Sequence, residues 1–316
     1  MPQRVFFVDT DTATDDAVAL LMVLQRPDIE VVGISTVAGN CSVEQATQNA
    51  LFVRDLVKST VAVHVGADAP LAREWEGAHH VHGRDGMGDI DLPLYGRAAH
   101  TNDGVGALID AAARWSGQLE LVTLGPLTNL ALALAQAPEL VDQLKRVVVM
   151  GGTAELPGNV TPLAEYNFWA DPEAAHQVAV SGLHFEMAGW DIATKFAAVD
   201  PDWAAELRSL GPLGKLAFDI QGVLRSFYRI ILNSHTTHLP DPLAMAIALE
   251  PDLVVRVVGV GAEVRRHVAV VDLAERRGPE ARRSRWIARR VMRASPCSPE
   301  LLSPMRGNQL YRVRQG

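Results

Sequence analysis

Near-continuous apolar runs recur along this chain: VFFV at residues 5–8, VVGISTV at 31–37 and RVVVM at 146–150. Between them lie stretches with helical periodicity. A strand with one wet face alternates apolar and polar residues, whereas a strand covered on both faces reads as continuously apolar. Runs of this kind require a sheet with helices on both sides. Strands are expected at 5–8, 30–37, 61–65, 119–124 and 146–150, and helices at 17–25, 43–57 and 127–137, the last ended near Pro138. This order predicts βαβ units. The expected fold is α/β: one large domain, a mostly parallel central sheet and a Rossmann-like core.

The first run stops abruptly on negative charge. FVDTDTATDD, residues 7–16, carries Asp9, Asp11, Asp15 and Asp16. In open parallel sheets the carboxyl ends of the strands are where ligands bind. A single Asp there needs no ligand, because an N-cap stabilises a helix by roughly 1 kcal/mol. Four are different, since two like charges about 4 Å apart repel by about 4 kcal/mol at an effective dielectric near 20. Either they point apart into water or they share a cation, and the short turn behind a buried strand favours the cation. Carboxylates with no Cys or His pair nearby suit a hard ion, Ca²⁺ or Mg²⁺. Such an ion acidifies a bound water, and a spare carboxylate can take its proton.

Two long Gly/Pro-rich stretches, 73–93 and 151–172, follow strands and carry His, Asn and Glu. Loops of that length in a compact domain are commonly functional. No apolar run approaches the roughly 20 residues that cross a bilayer, so no membrane partner is expected. The N-terminus lacks the apolar core and cleavage site of a secretory signal, and Cys41 and Cys297 form neither a disulfide framework nor a zinc cluster. A cytoplasmic protein is expected. Net charge is −8 but uneven: from residue 264 onward 13 Lys+Arg face 4 Asp+Glu, leaving 16 against 33 before it. The expected organisation is therefore an α/β domain over 1–263 and an atypical basic segment over 264–316, either disordered or the product of an altered reading frame. It lacks spaced recognition motifs, so nucleic acid is not expected as a partner.

DTDTATDD resembles the N-terminal motif of the inosine-uridine preferring nucleoside hydrolases. TVAGN, VHGRDGMG, TLGPLTNLALAL, VVVMGG, GNVTPLAEYNFWADPEAA and DPLAMA follow in the order and spacing of that family, over roughly residues 4–260. The resemblance implies Ca²⁺-dependent hydrolysis of the N-glycosidic bond of ribonucleosides, in nucleoside catabolism or salvage, by a homodimer or homotetramer. It implies Asp11, Asp16 and Asp241 as Ca²⁺ ligands, with Asp16 binding through both oxygens, together with the main-chain carbonyl of Leu124. Asp11 would also be the base toward water. Asp15 and Asn40 match positions at the ribose hydroxyls and the attacking water, and Met150, Asn159, Glu165 and Asn167 match the ribose site. His82 matches a position near the base pocket, and Asp9 supports the turn.

One position departs from the pattern. Many members have a His immediately before the late Asp, proposed to protonate the leaving base; here it is Pro240. His235 and His238 are the nearest titratable candidates, with His238 named as the acid, and Tyr228 and Arg229 lie on the segment that borders the base in the family. The departure leaves open a silent nucleoside or ribose binder. DTDTA is also similar to the motif of haloacid-dehalogenase-like phosphatases, but TDD and the 158–167 loop have no role in that scheme.

Overall fold

The computed structural model describes residues 3–259 and 268–273. The chain begins with β1 (Arg4–Thr10), α1 (Thr14–Leu24), β2 (Ile29–Thr36), α2 (Val43–Leu56) and β3 (Val63–Val65). A long loop holds the short α3 (His79–His82) before α4 (Gly104–Arg114), β4 (Leu119–Thr123), α5 (Thr128–Gln136), α6 (Leu140–Gln143) and β5 (Arg146–Met150). Next come α7 (Tyr166–Ala170), α8 (Pro172–Val180), β6 (Phe185–Ala188), α9 (Trp190–Phe196), β7 (Ala198–Val199), α10 (Pro201–Ser209), α11 (Pro212–Asp219) and α12 (Gly222–Ile230). β8 (Thr237–His238), α13 (Pro240–Leu249), β9 (Val254–Gly259) and β10 (Val268–Leu273) complete the described part.

The main sheet runs in the order β3-β2-β1-β4-β5-β6-β10-β9. Its strands are parallel from β3 to β10, and only β9 is antiparallel. β10 comes from the basic segment set apart by charge, and the remaining expectations for that segment lie outside the described residues. The apolar runs are explained by double coverage. Along β1, Phe6 and Val8 enter one hydrophobic cluster while Val5 and Phe7 enter the other, so the period-2 alternation divides apolar residues between two buried faces.

The chain order places the site. From β1 the chain moves outward through β2 to β3, then returns to lay β4 on the other side of β1. The crevice between the carboxyl ends of β1 and β4 is the switch point where doubly wound sheets bind ligands. α13, buried from Leu243 to Leu249, packs beside α1 in the larger cluster. Pro240 opens it at N1, where a fixed φ starts a helix and the missing N–H costs nothing. At its other end Arg4 donates to the Leu249 carbonyl at 2.9 Å and Arg146 to the Ala248 carbonyl at 3.0 Å.

Candidate active site

β1 ends by delivering carboxylates, and each has a different fate. Asp9 lies level with Ser35 of β2 and Thr123 of β4. Its Oδ1 accepts from the Ser35 hydroxyl and, at 2.7 Å, from Asn129 Nδ2, while Oδ2 is buried without a partner. Burial raises its pKa to about 6 against those hydrogen bonds. Asn129 also donates to the Thr36 carbonyl and accepts from the Ala67 amide, so it ties β1, β2 and the loop after β3 together. Asp11 is fully buried. Its Oδ2 accepts the Asn40 amide at 2.6 Å and Oδ1 has no partner. A side chain at Gly39 would fall on Asp11 Oδ2, its Cβ 2.1 Å away, so glycine is required for this approach.

α1 presents two more carboxylates in its first turn, where the helix dipole favours negative charge. Asp16, at N3, accepts from the Thr10 hydroxyl at 2.6 Å and reaches back to the N-cap amide of Ala13 at 3.0 Å. Asp15 is buried with Oδ1 unpartnered and 3.8 Å from His82 Nδ1. Burial first, and then the Asp16 charge, raise Asp15 to about 7. α13 brings Asp241 from 225 residues further along, again in a first turn and buried. One oxygen from each of Asp15, Asp16 and Asp241 lies within 4.8 Å of the others. Burial pushes Asp11 and Asp241 well above the usual carboxylate range, and neighbouring aspartates push further.

These residues suit a hard cation. Among the described residues no Lys or Arg pairs with Asp9, Asp11, Asp15, Asp16 or Asp241. The donors are all oxygen, and Asp11 Oδ1 and Asp15 Oδ1 are buried and unsatisfied, an arrangement that costs free energy without a counter-charge. The tight group contains Asp15, expected at the ribose, and does not contain Asp11, whose charge nonetheless acts on Asp241.

The other expected residues fall into three places. On the β4–β5 side, Asn167 Nδ2 donates to the Leu124 carbonyl at 2.7 Å and contacts the Met150 carbonyl at 3.2 Å and its sulfur at 3.1 Å. Glu165 is buried as the N-cap of α7, accepting from the Asn167, Phe168 and Gly152 amides. On the α1 side, His82 is buried with Nδ1 2.7 Å from the Thr14 hydroxyl, and burial lowers its pKa to about 3. Gln221 donates to the Thr14 carbonyl at 2.9 Å. Nearby, Tyr228 is buried and packs on His238 with ring centroids 5.8 Å apart, and Trp190 lies edge-on to that imidazole. His238 Nδ1 is buried without a partner, and Tyr228, held above its usual range at about 12 chiefly by burial, feels the Asp15 charge.

Two expected residues lie apart from these groups. Asn159 is exposed, its Oδ1 accepting the Tyr166 amide at 2.9 Å. His235 is exposed and lines a cavity with Arg208, Arg225 and Arg229, to which none of the site aspartates contributes. Thr14, Asn129 and Gln221 went unnoticed in the sequence. Thr14 and Asn129 stand inside recognised motifs, but their roles require partners 68 and 120 residues away.

Fold and site together define an α/β protein whose sheet switch point suits a hard cation. The family model for inosine-uridine preferring nucleoside hydrolase matches residues 6–293, past the point to which the resemblance could be followed. Non-specific ribonucleoside hydrolase RihC of Escherichia coli (strain SMS-3-5 / SECEC) is 39% identical over 247 residues, 78% of this chain and 79% of that protein. A purine-preferring ribonucleoside hydrolase from Gardnerella vaginalis is similar in structure, with a TM-score of 0.81 at 27% identity, covering 92% of this chain and all of that one. A plant nucleoside hydrolase gives 0.83 at 25% identity, covering 93% and 100%. The chain belongs to the inosine-uridine preferring nucleoside hydrolase family.

Proposed function

We propose that this chain hydrolyses the N-glycosidic bond of ribonucleosides to free base and ribose, with Ca²⁺ held by Asp11, Asp16, Asp241 and the Leu124 carbonyl, and with Asp15 beside it. The observation that carries the proposal is the group of buried carboxylates at the switch point with no Lys or Arg among the described residues to balance them. Ca²⁺, when bound, would acidify water and hold the ribose diol. The side chains do the rest. Asp11 Oδ1, the unpartnered oxygen, is the proton acceptor from water, and the Asn40 amide on Oδ2 fixes its direction. Asn40, Met150 and Asn167 are set around the ribose, with Asn167 bridging the β4 and β5 ends and Glu165 holding it in place by capping α7, while Asn159 stands apart at the Tyr166 amide. As the bond breaks, positive charge grows on the sugar ring, and the carboxylate-rich pocket stabilises it.

Negative charge grows on the departing base. Pro240 has no proton to give, so His238 takes that role, with Tyr228 packed on its ring and His82 at the edge of the base pocket. Burial holds His238 below its usual range, so near neutral pH only its minor protonated form can transfer the proton to the departing base. No helix among the described residues is long and apolar enough to cross a membrane. The proposal extends to a cytoplasmic homodimer or homotetramer acting in nucleoside salvage or catabolism.

A panel of inosine, uridine and cytidine assayed for reducing sugar, before and after chelation and Ca²⁺ restoration, tests it. Turnover that disappears with chelator and with Asp11→Ala is expected. Nucleoside binding without turnover would leave a silent binder, and turnover indifferent to chelator would remove the cation from the scheme.

A further inference from the structure

α12 has two working faces. Leu224 and Tyr228 face inward, while Arg225, Ser226 and Arg229 line an outward cavity of about 630 Å³ with Arg208 of α10, Phe218 of α11 and His235. Among the described residues no Asp or Glu lines it. Among the described residues none of the three arginines forms an ion pair with a carboxylate, although the chain is acidic overall. Nearby Asp219 pairs with Lys215, outside the lining, and its charge also acts on Arg225.

We infer that this cavity binds the phosphate group of a small phosphate monoester. Arg225 is half-buried, and its guanidinium carbon sits 3.8 Å from the Phe218 ring centroid, with that of Arg208 over the same ring at 5.2 Å. Arg225 Nη1 donates to the Phe218 carbonyl at 2.5 Å, which orients the fork and leaves its other donors for a ligand. Burial depresses the Arg225 pKa and Arg208 adds to that, against the opposing charge of Asp219, so the lining keeps an excess of positive charge that suits an anion. Planar guanidinia match phosphate oxygens through paired hydrogen bonds. The volume, within the range for small-molecule sites and far larger than one phosphate ion, points to an organic phosphate. Because the opposite face of α12 carries Tyr228 to the base end, occupancy would steady that face and lower KM; this consequence rests on the proposed function, whereas the binding itself does not.

The test is calorimetry and thermal unfolding of the full chain at constant ionic strength, with ribose 5-phosphate, inorganic phosphate and ribose as probes. Ribose 5-phosphate is expected to bind with a Kd below roughly 1 mM and to raise Tm, with ribose producing no such shift. Arg225→Gln weakens binding about tenfold or more through loss of a charge-assisted hydrogen bond. Arg208→Gln, at an exposed position, does the same without threatening the fold, and both variants keep basal nucleoside turnover. Equal affinity for inorganic phosphate would overturn the monoester while keeping the anion site. No binding of either anion, or binding unchanged in both variants, would overturn the inference outright. Binding without turnover would leave the cavity standing and the hydrolase reading refuted.

Discussion

Asp241→Asn has opposite effects on the protein with and without a cation. The substitution conserves shape and removes one charge from a group whose oxygens lie within 4.8 Å. At that separation two carboxylates repel by about 3 kcal/mol at an effective dielectric near 20. In chelator at alkaline pH, where the carboxylates are forced to ionise, the variant should therefore be at least as stable as the parent and up to about 6 kcal/mol more so, about 3 kcal/mol from each of Asp15 and Asp16. With Ca²⁺ at about 100 times its Kd, the parent gains about 2.7 kcal/mol, and the variant should lose most of that gain. Thermal unfolding across a Ca²⁺ titration measures both arms. A variant destabilised by more than about 1 kcal/mol in chelator would refute the reasoning, because Asp241 would then be a structural anchor whose charge is already satisfied.

Three further outcomes concern the frame around the site. Glu120 is nearly buried and accepts from Arg4 at 2.9 Å and Lys145 at 3.2 Å, so Glu120→Ala should cost about 3 kcal/mol in urea denaturation by leaving Arg4 uncompensated beside the α13 C-terminus. Gly88 has φ of +83° and its Cβ would lie 2.2 Å from the Ile220 carbonyl; Gly88→Ala should lower stability by about 2 kcal/mol or more, and an unchanged Tm would contradict that close approach. His64 is held below its usual pKa by burial and by His100. Its folded form resists protonation, so stability falls as pH drops below about 6.5, where the unfolded chain takes up the proton first, and the loss grows until the folded pKa is reached. His64→Gln should flatten Tm against pH over that window.

Legibility followed range. The first strands, their helices and the aspartates behind β1 could be read from the sequence because each depends on neighbours a few residues away: apolar periodicity, a turn, a helix start. Strand limits moved by a residue or two, as with β2 at Ile29–Thr36 against an expected 30–37, because register with β1 and β3 decides where pairing stops. The sequence offered candidate site residues and not their arrangement, and two of them, Asn159 and His235, lie apart from the rest. Asn40 acts on Asp11 through its backbone amide, and Glu165 spends its oxygens on capping α7, neither of which residue type alone reveals.

What the sequence determined by itself is the α/β class, the position of the carboxylates at a strand end and the hardness of the ligand they suit, since these follow from local pattern and side-chain chemistry. Only the tertiary structure decided that Asp241 arrives beside Asp15 and Asp16, that Asn129 clamps Asp9, and that His235 turns to an arginine-lined cavity on the far side of α12. The physical reason is that such meetings are made by helices packing against a sheet. The packing of α13 against α1 depends on buried surfaces distributed over the whole chain, which no local pattern encodes.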